Sequence, residues 1–541
     1  MPVPPTSPHR SGWLLAVLAA SALHMLIFDR GLGGDGWAGF AVLTSLADDH
    51  DLWLEDNHRG QLNGLVANPA GHLVSQYPPG GPLLDALPFA AGRALDALLP
   101  ARLLAAGVEL PPLGRVPRGL FFSAAAIVAA RNVAALLGLF WTALALRRLG
   151  SGPRTAAAAA ALAFFGGPLV FYSLVGMTHA PACALAALLF LLLVRRREPG
   201  AASGAGAGEE ERGEPCKTEE KTSGEEGRRA VALGWAAGLT LGATVLVRYD
   251  AVALLPPALL ALRGRPARPA PTARREALPV AGPTPGGQQA RPVHAVPSTA
   301  RAGAAREPAR PVLAFALGLA LPLLALPPWW RASFGSWLPP TYGGRLQISL
   351  ASPWNILFSP VHGACWFHPA LLLAVAGLAL GTGAGRPGGT RPTPPDRLER
   401  AGRTGAGWRA VALVWFLSVA TLHGWWSEWA NLGGYGQRFL CDALPVLALG
   451  FAWLGAQVAR SRRLAIPFAV ATLAATAFGF GLFFAAAGGL VQPPPPYPWP
   501  VRLGDYARLV REPPGPREIG RALCRASFTA RLLAPGCRPA P

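Results

Sequence analysis

Charge is what this 541-residue sequence has least of: Asp, Glu, Lys and Arg make up 14% of it, where a soluble domain carries about a quarter. So few charged groups cannot solvate the surface of a chain this long, which argues against a water-soluble globular protein. Cysteine is scarce too. The six cysteines (Cys183, Cys216, Cys365, Cys441, Cys524 and Cys537) stand singly with no CxxC pair, which argues against zinc-ribbon and thioredoxin-like sites. Cys524 and Cys537, near each other in the tail, read either as a disulfide or as two free thiols. No nucleic-acid module accompanies the net charge of +20, so the excess of Arg is not read as a nucleic-acid surface.

What the sequence does have is apolar length. Hydrophobic residues make up 51% of it, mean hydropathy is +0.32, and several runs reach the roughly 20 residues that a helix needs to cross a bilayer. The expected spans are 13–28, 120–146, 156–175, 179–194, 230–247, 251–262, 312–330, 366–380, 411–423, 440–454 and 465–490. The first resembles a signal peptide after Arg10, but it stays apolar past its small residues and is read as an uncleaved helix. Residues 82–99 are interrupted by Asp85, Arg93 and Asp96, which suits a helix lying in the interface. The fold expected is therefore an all-α polytopic membrane protein of about eleven transmembrane helices, with an outer first loop and an interfacial helix.

Arginine sets the orientation. With the N-terminus cytoplasmic, Arg147-Arg148, Arg195 to Arg197, the segments 263–310 and 386–409, and Arg460 to Arg463 all fall inside, as the positive-inside rule requires. Residues 1–491 then form one multi-pass membrane domain, with loops 195–229 and 263–310 expected to be disordered from their composition. Residues 492–541 form a tail that the count of crossings places outside, against its own Arg content.

Polar clusters collect on the outer side. The first loop holds Asp35, Asp48, Asp49, His50, Asp51, Glu55, Asp56, His58 and His72. Later loops bring His179, Arg248-Tyr249-Asp250, Arg331 to Arg345, His362 to His368 and Trp425 to Arg438. Ionisable groups near a membrane line polar pathways or pockets. Asp35, in Gly33-Gly34-Asp35-Gly36-Trp37 just after the first span, is placed to act as general base toward a hydroxyl. The Asp48-Asp49-His50-Asp51 run offers oxygen ligands for Mg²⁺, Mn²⁺ or Ca²⁺ but matches no defined metal loop, and reads equally as a solvated acidic turn.

Asp35-Gly36-Trp37, Asp49-His50-Asp51-Leu52 and Gln76-Tyr77-Pro78-Pro79-Gly80-Gly81-Pro82 resemble the first-loop pattern of bacterial GT-C fold glycosyltransferases and their polytopic relatives. Met177-Thr178-His179, Leu357 to Gly363 and Gly434 to Phe439 resemble later blocks of the same group. The resemblance covers most of the membrane portion but neither the two long inside loops nor the tail. It implies a GT-C-like fold in the bacterial cytoplasmic membrane and transfer of a sugar from a polyprenyl-phosphate donor to a glycan, lipid or protein acceptor at the outer face. It also implies an acidic residue after the first helix as base, and Asp35 is the matching position. The family often carries a second acidic residue or an aromatic directly after it, where this chain has Gly36, so Asp35 and the group containing Asp49 and Asp51 both stay open as catalytic. Arg438 and Arg345, in glycine-rich outer turns, suit the donor phosphate, because Arg clamps a developing phosphate charge. Tyr77, His179, His362 and Trp426 complete the candidate substrate contacts. A lipid or glycolipid transporter and a non-catalytic membrane scaffold are the competing readings.

Overall fold

The computed structural model describes residues 12–28, 32, 35–56, 64–98, 120–174, 176–197, 216–263, 309–337, 347–349, 351–359, 363–380, 395–426, 437–487, 490, 504, 507–509 and 511–526. These residues are overwhelmingly helical, and the chain is an all-α polytopic membrane protein. Six helices are long and apolar enough to cross a membrane, and three shorter apolar helices accompany them. The eleven spans expected from the sequence are not matched one for one among the described residues. The 156–175 run is two helices broken at Gly167-Pro168, and the runs at 251–262 and 366–380 end in helices of only 8 and 11 residues. At 1.5 Å per residue, such helices are too short to cross the hydrocarbon alone.

In chain order, helix α1 (Gly12–Phe28) is followed by α2 (Asp35–Asp48), then a hairpin of β1 (Leu65–Ala67) and β2 (Leu73–Ser75), then α3 (Gly80–Leu98). The hairpin is antiparallel, with Val66 opposite Val74. Next come α4 (Phe121–Arg148), α5 (Pro153–Gly166), α6 (Leu169–Leu174), α7 (His179–Arg197), α8 (Cys216–Val247) and α9 (Leu255–Leu262), the last two joined by a 3-10 turn at Tyr249–Leu254. The second half holds α10 (Ala309–Leu323), α11 (Leu326–Phe334), α12 (Ala351–Phe358), α13 (Ala364–Phe367), α14 (Ala370–Leu380) and α15 (Pro395–Trp425). A 3-10 turn at Arg438–Ala443 then leads into α16 (Leu444–Val458), α17 (Arg462–Ala487) and α18 (Pro516–Ala526). Helix α5 opens on Pro153, and α9 and α16 carry Pro256 and Pro445 at their second residue, in the first turn, where the fixed φ of Pro is tolerated.

Helix α8 begins at Cys216, within the 195–229 segment. Its first turns are rich in Glu and Lys, good helix formers that extend an apolar helix backwards at little cost.

The core is the lateral packing of the spans. Helix α7 is buried along most of its length, and α4, α8, α14, α15 and α16 share its cluster. Helices α8 and α10 approach at backbone distance: a Cβ on Gly238 would come within 2.1 Å of the Phe315 carbonyl oxygen, and one on Gly318 within 2.3 Å of the Trp235 carbonyl oxygen. Small residues at such crossings drive helix association in lipid, where packing replaces the hydrophobic effect.

Helix α3 is amphipathic in the reverse sense to a surface helix of a soluble protein. Leu83, Leu84, Leu87, Leu95 and Leu98 are exposed, whereas Asp85 and Asp96 are buried. Asp96 caps α4, accepting hydrogen bonds from the Phe122 amide (2.8 Å), the Ser123 amide (3.0 Å) and the Ser123 hydroxyl (2.6 Å). The interfacial reading of this segment therefore describes a helix whose polar face is turned to protein.

Candidate active site

The functional side chains converge where several helices begin or end. Helix α7 starts at His179 and finishes with Arg195, Arg196 and Arg197, about 28 Å away along its axis. At the His179 end, α2 begins, α8 finishes and α15 finishes. At the Arg end, Arg196 and Arg197 donate to the Leu262, Ala261 and Leu260 carbonyls that close α9, each at 2.9 Å. Arg409 and Gln457 cap the Ala379 and Leu380 carbonyls that close α14 in the same way.

Asp35 is the first residue of α2 and is buried, in a position where the helix dipole favours negative charge. The Thr178 hydroxyl donates to its Oδ2, and the Thr178 amide approaches Oδ1 at 3.4 Å. His179 Nδ1 and Arg248 Nη1 each stand 3.8 Å from Oδ2. Arg248 Nη1 also reaches His179 Nε2 at 2.6 Å. It stands 3.0 Å from His179 Nδ1 as well, so the guanidinium faces both ring nitrogens.

Gly36 explains the departure from the acidic or aromatic residue that the resemblance leads one to expect. A Cβ there would lie 2.0 Å from the Gly176 carbonyl oxygen and 2.6 Å from Arg131 Nη1. Arg131, fully buried in α4, forms an ion pair with Asp85 of α3, its Nε lying 3.2 Å from Oδ1, and donates to that same Gly176 carbonyl. Arg131 thus ties α3 and α4 to the turn that carries Thr178, and α2 can sit there only without a side chain at position 36.

Arg248 also grips Asp250, with Nε 3.1 Å from Oδ1 and Nη2 bonded to Oδ2. Burial works to lower the basicity of Arg248, but Asp250, Asp442 and Asp35 together hold its pKa above the ordinary guanidinium value. His423 Nε2, at the end of α15, lies 3.6 Å from Asp250 Oδ2, and the His423 ring stacks on Phe439 at 4.5 Å. Two Asp–His pairs, Asp35 with His179 and Asp250 with His423, are thereby bridged by a single guanidinium.

Arg438 lies over the same Phe439 ring, 5.1 Å from its centroid. Its buried Nε has no hydrogen-bond partner, and among the described residues the side chain forms no ion pair. Tyr77, at the end of the strand leading into α3, belongs to the same neighbourhood: burial, and then the Asp35 carboxylate, raise its phenol above the usual value while Arg438 opposes them. It therefore stays protonated at neutral pH.

The structure thus brings together Asp35, Tyr77, His179 and Arg438 of the residues named from the sequence. It does not bring Asp49 or Asp51 to them. Those residues follow the C-terminus of α2, about 20 Å from Asp35 along that helix. Asp51 Oδ1 accepts from the Ser45 hydroxyl (2.7 Å) and the Trp53 amide (2.9 Å), so it holds a loop together, and Asp48 pairs with Arg93 of α3. Among the described residues no group of His, Cys, Asp or Glu is arranged to hold a metal ion. Trp426 is half-buried and donates its amide to the His423 carbonyl at 3.2 Å. Arg345 and His362 lie outside the described residues.

Sequence reasoning named Arg248 and Asp250 among the outer polar clusters and Thr178 within a resembling block, but gave no role to these three, nor to His423 or Asp442. Asp442 carried the clearest signal, an acidic residue inside an apolar run, where an ionisable group is a functional candidate by default. Cys524 is disulfide-bonded, and Cys183, Cys365 and Cys441 are free thiols.

No protein-family model matches the chain, and no curated protein matches it. Solved structures do. ArnT from Cupriavidus metallidurans in the apo state is similar at 14% identity and a TM-score of 0.45, over 95% of this chain and 74% of that one. The same protein bound to undecaprenyl phosphate gives 13% and 0.44, over 95% and 69%. The oligosaccharyltransferase AglB from Archaeoglobus fulgidus, in complex with an inhibitory peptide and a dolichol-phosphate, gives 13% and 0.41, over 96% of this chain and 56% of that one. ArnT and AglB are GT-C fold glycosyltransferases, the group that the sequence blocks resemble. At these identities and TM-scores the likeness concerns the path of the chain, and the chemistry rests on the residues themselves.

Proposed function

We propose that this chain is a glycosyltransferase that moves a sugar from a polyprenyl-phosphate carrier to an acceptor hydroxyl at the outer membrane face, with Asp35 as general base. The observation that carries this reading is a buried, oriented carboxylate and an unpartnered guanidinium that both act on one phenol, Tyr77: Asp35 held by Thr178, and Arg438 beside Phe439.

The step that fits this pair is a displacement at the anomeric carbon. Asp35 takes the proton of the acceptor hydroxyl as its oxygen bonds to that carbon. The bond from the anomeric carbon to the phosphate oxygen breaks, and the leaving polyprenyl phosphate gains one negative charge. Arg438 faces that growing charge; in a pocket with little water, a charge-assisted bond of this kind favours the transition state over the ground state. Arg248 has a different part. Already engaged by Asp250, it fixes Asp35 and His179 in register before substrate arrives, the preorganisation a positioned base needs.

The carrier is inferred from access. Nucleotide sugars are made in the cytoplasm, and the pocket lies at the end of the bundle away from the Arg-capped helix ends. A polyprenyl tail stays in lipid while it presents its sugar to such a pocket. Purified protein in liposomes is expected to transfer sugar from a polyprenyl-phosphate sugar and to ignore the matching nucleotide sugar. Transfer from the nucleotide sugar alone would overturn the reading, and substrate-dependent flux without transfer would favour a transporter.

A further inference from the structure

Among the described residues around Arg248, Asp442 is an acidic side chain with neither a hydrogen bond nor an ion pair. It is 3% exposed, its Oδ1 has no hydrogen-bond partner, and among the described residues it forms no ion pair. Its backbone is fixed, because Trp415 Nε1 donates to its carbonyl at 2.9 Å. It sits within the electrostatic reach of Arg248 and Asp250, yet Arg248 is taken by Asp250 and Asp35. A buried carboxylate oxygen left unsatisfied is costly, and native proteins keep such groups mainly where a ligand or a catalytic step uses them.

Its position relative to Arg438 narrows what that ligand is. The two residues stand four apart on the 3-10 turn Arg438–Ala443, about 8 Å along its axis. That is comparable to the span from the phosphate of a glycosyl phosphate to the far side of its sugar ring. One end of the turn offers an unpartnered donor to an anion, and the other an unpartnered acceptor to a hydroxyl.

We propose that Asp442 is a sugar-recognition residue: its carboxylate accepts a hydrogen bond from a hydroxyl of the transferred sugar while Arg438 holds the phosphate of the same donor. This inference rests on the glycosyltransferase reading and assigns the specificity of its donor subsite. A carboxylate suits the task, since a pocket built to bond a hydroxyl rejects an analogue lacking it far more strongly than an apolar pocket rejects one that merely differs in size.

The test uses the full chain in nanodiscs, titrated with undecaprenyl phosphate and with the same lipid carrying glucose, mannose or arabinose, read by native mass spectrometry and thermal unfolding. The unaltered protein binds at least one sugar-bearing lipid more tightly than the bare lipid. Asp442→Leu removes that increment, on the order of tenfold or more for a lost bond to a charged group, leaves bare-lipid affinity unchanged, and raises Tm because an unsatisfied carboxylate is gone. Asp442→Asn keeps part of the increment.

Three outcomes overturn the proposal. In the first, the unaltered protein binds every sugar-bearing lipid no better than the bare one. In the second, the increment survives Asp442→Leu. In the third, Asp442→Leu lowers Tm and weakens both lipids alike, which marks a structural residue. Failure of the underlying reading is distinct: the bare lipid itself then does not bind, or binds equally to Arg438→Ala, and the role of Asp442 falls with it.

Discussion

The Arg248 guanidinium stands 3.8 Å from Asp35 through Nη1 while it grips Asp250 through Nε and Nη2. The candidate base therefore has a cation beside it that cannot simply turn away to a substrate. Arg438, without such an attachment, is the one available to an incoming anion.

Asp35→Asn keeps the shape of the side chain and removes its basicity. Turnover is expected to fall by roughly a hundredfold or more with donor binding and Tm little changed. Retained turnover, with loss in Asp49→Asn or Asp51→Asn, would move the base to the far end of α2.

Arg438→Ala is expected to weaken binding of undecaprenyl phosphate clearly, and Arg438→Lys to restore only part of it, because the ammonium lacks the planar fork. Lipid titration of the purified variants measures this. Equal affinity in all three proteins would leave Arg438 as a membrane-interface anchor.

Gly36→Ala is expected to destabilise the fold by about 1–3 kcal/mol, the usual range for overpacking, because its Cβ would meet the Gly176 carbonyl oxygen at 2.0 Å. Gly39→Ala is the control: its Cβ meets nothing nearer than 3.7 Å, and Tm should hardly move. Equal Tm for both variants would show that the α2 entry is looser than described.

Glu55 anchors the outer hairpin by accepting from the Leu73 amide at 2.9 Å and from His72 at 3.1 Å. Slight burial raises its pKa, but its own amide, the Leu73 amide and His72 outweigh that and lower it below the ordinary value. A lowered carboxylate pKa stabilises the fold above the unfolded value and ceases to do so as pH falls through the folded one. Protection of the Leu73 amide, taken relative to the intrinsic exchange rate at each pH, should thus be high near neutrality and fall once pH drops below the ordinary glutamate value. A flat profile down to pH 3 would remove Glu55 from this role.

The sidedness proposed from Arg placement has a direct check. In a cysteine-free background, Ala70→Cys on the exposed hairpin turn should react with a membrane-impermeant thiol reagent added from outside, and Arg460→Cys should not. The reverse pattern would put the pocket on the cytoplasmic side and reopen nucleotide sugars as donors.

The bundle was legible in the sequence because long apolar runs leave little else for a chain to do. The number of crossings was not, since Gly167-Pro168 splits a helix that hydropathy reads as continuous, and short apolar runs such as 251–262 look like spans until their helical length is known. Asp35, His179 and Arg438 could be found because each sits where an apolar run meets a polar loop. Arg248 and Asp250 sit at such a boundary too, but nothing local says that one guanidinium bridges two carboxylates from different parts of the chain. His423 and Asp442 lie within runs assigned to lipid, so their meeting with Asp250 and Arg248 is a product of packing alone. The acidic run at Asp49 and Asp51 stands out in the sequence by its dense charge, and what the sequence does not show is that Asp51 accepts from the Ser45 hydroxyl and a backbone amide.

Helix α3 turns its leucines outward and its aspartates toward α4, so part of the pocket wall is solvated by acyl chains on one side and by protein charge on the other. Detergent that strips annular lipid removes the support of that wall before it touches the tightly crossed spans. Preparations that look folded by helix content can for that reason have lost the Asp85–Arg131 clamp, and with it the placement of Thr178 against Asp35. Purification in native lipid is the condition under which the chemistry should be sought.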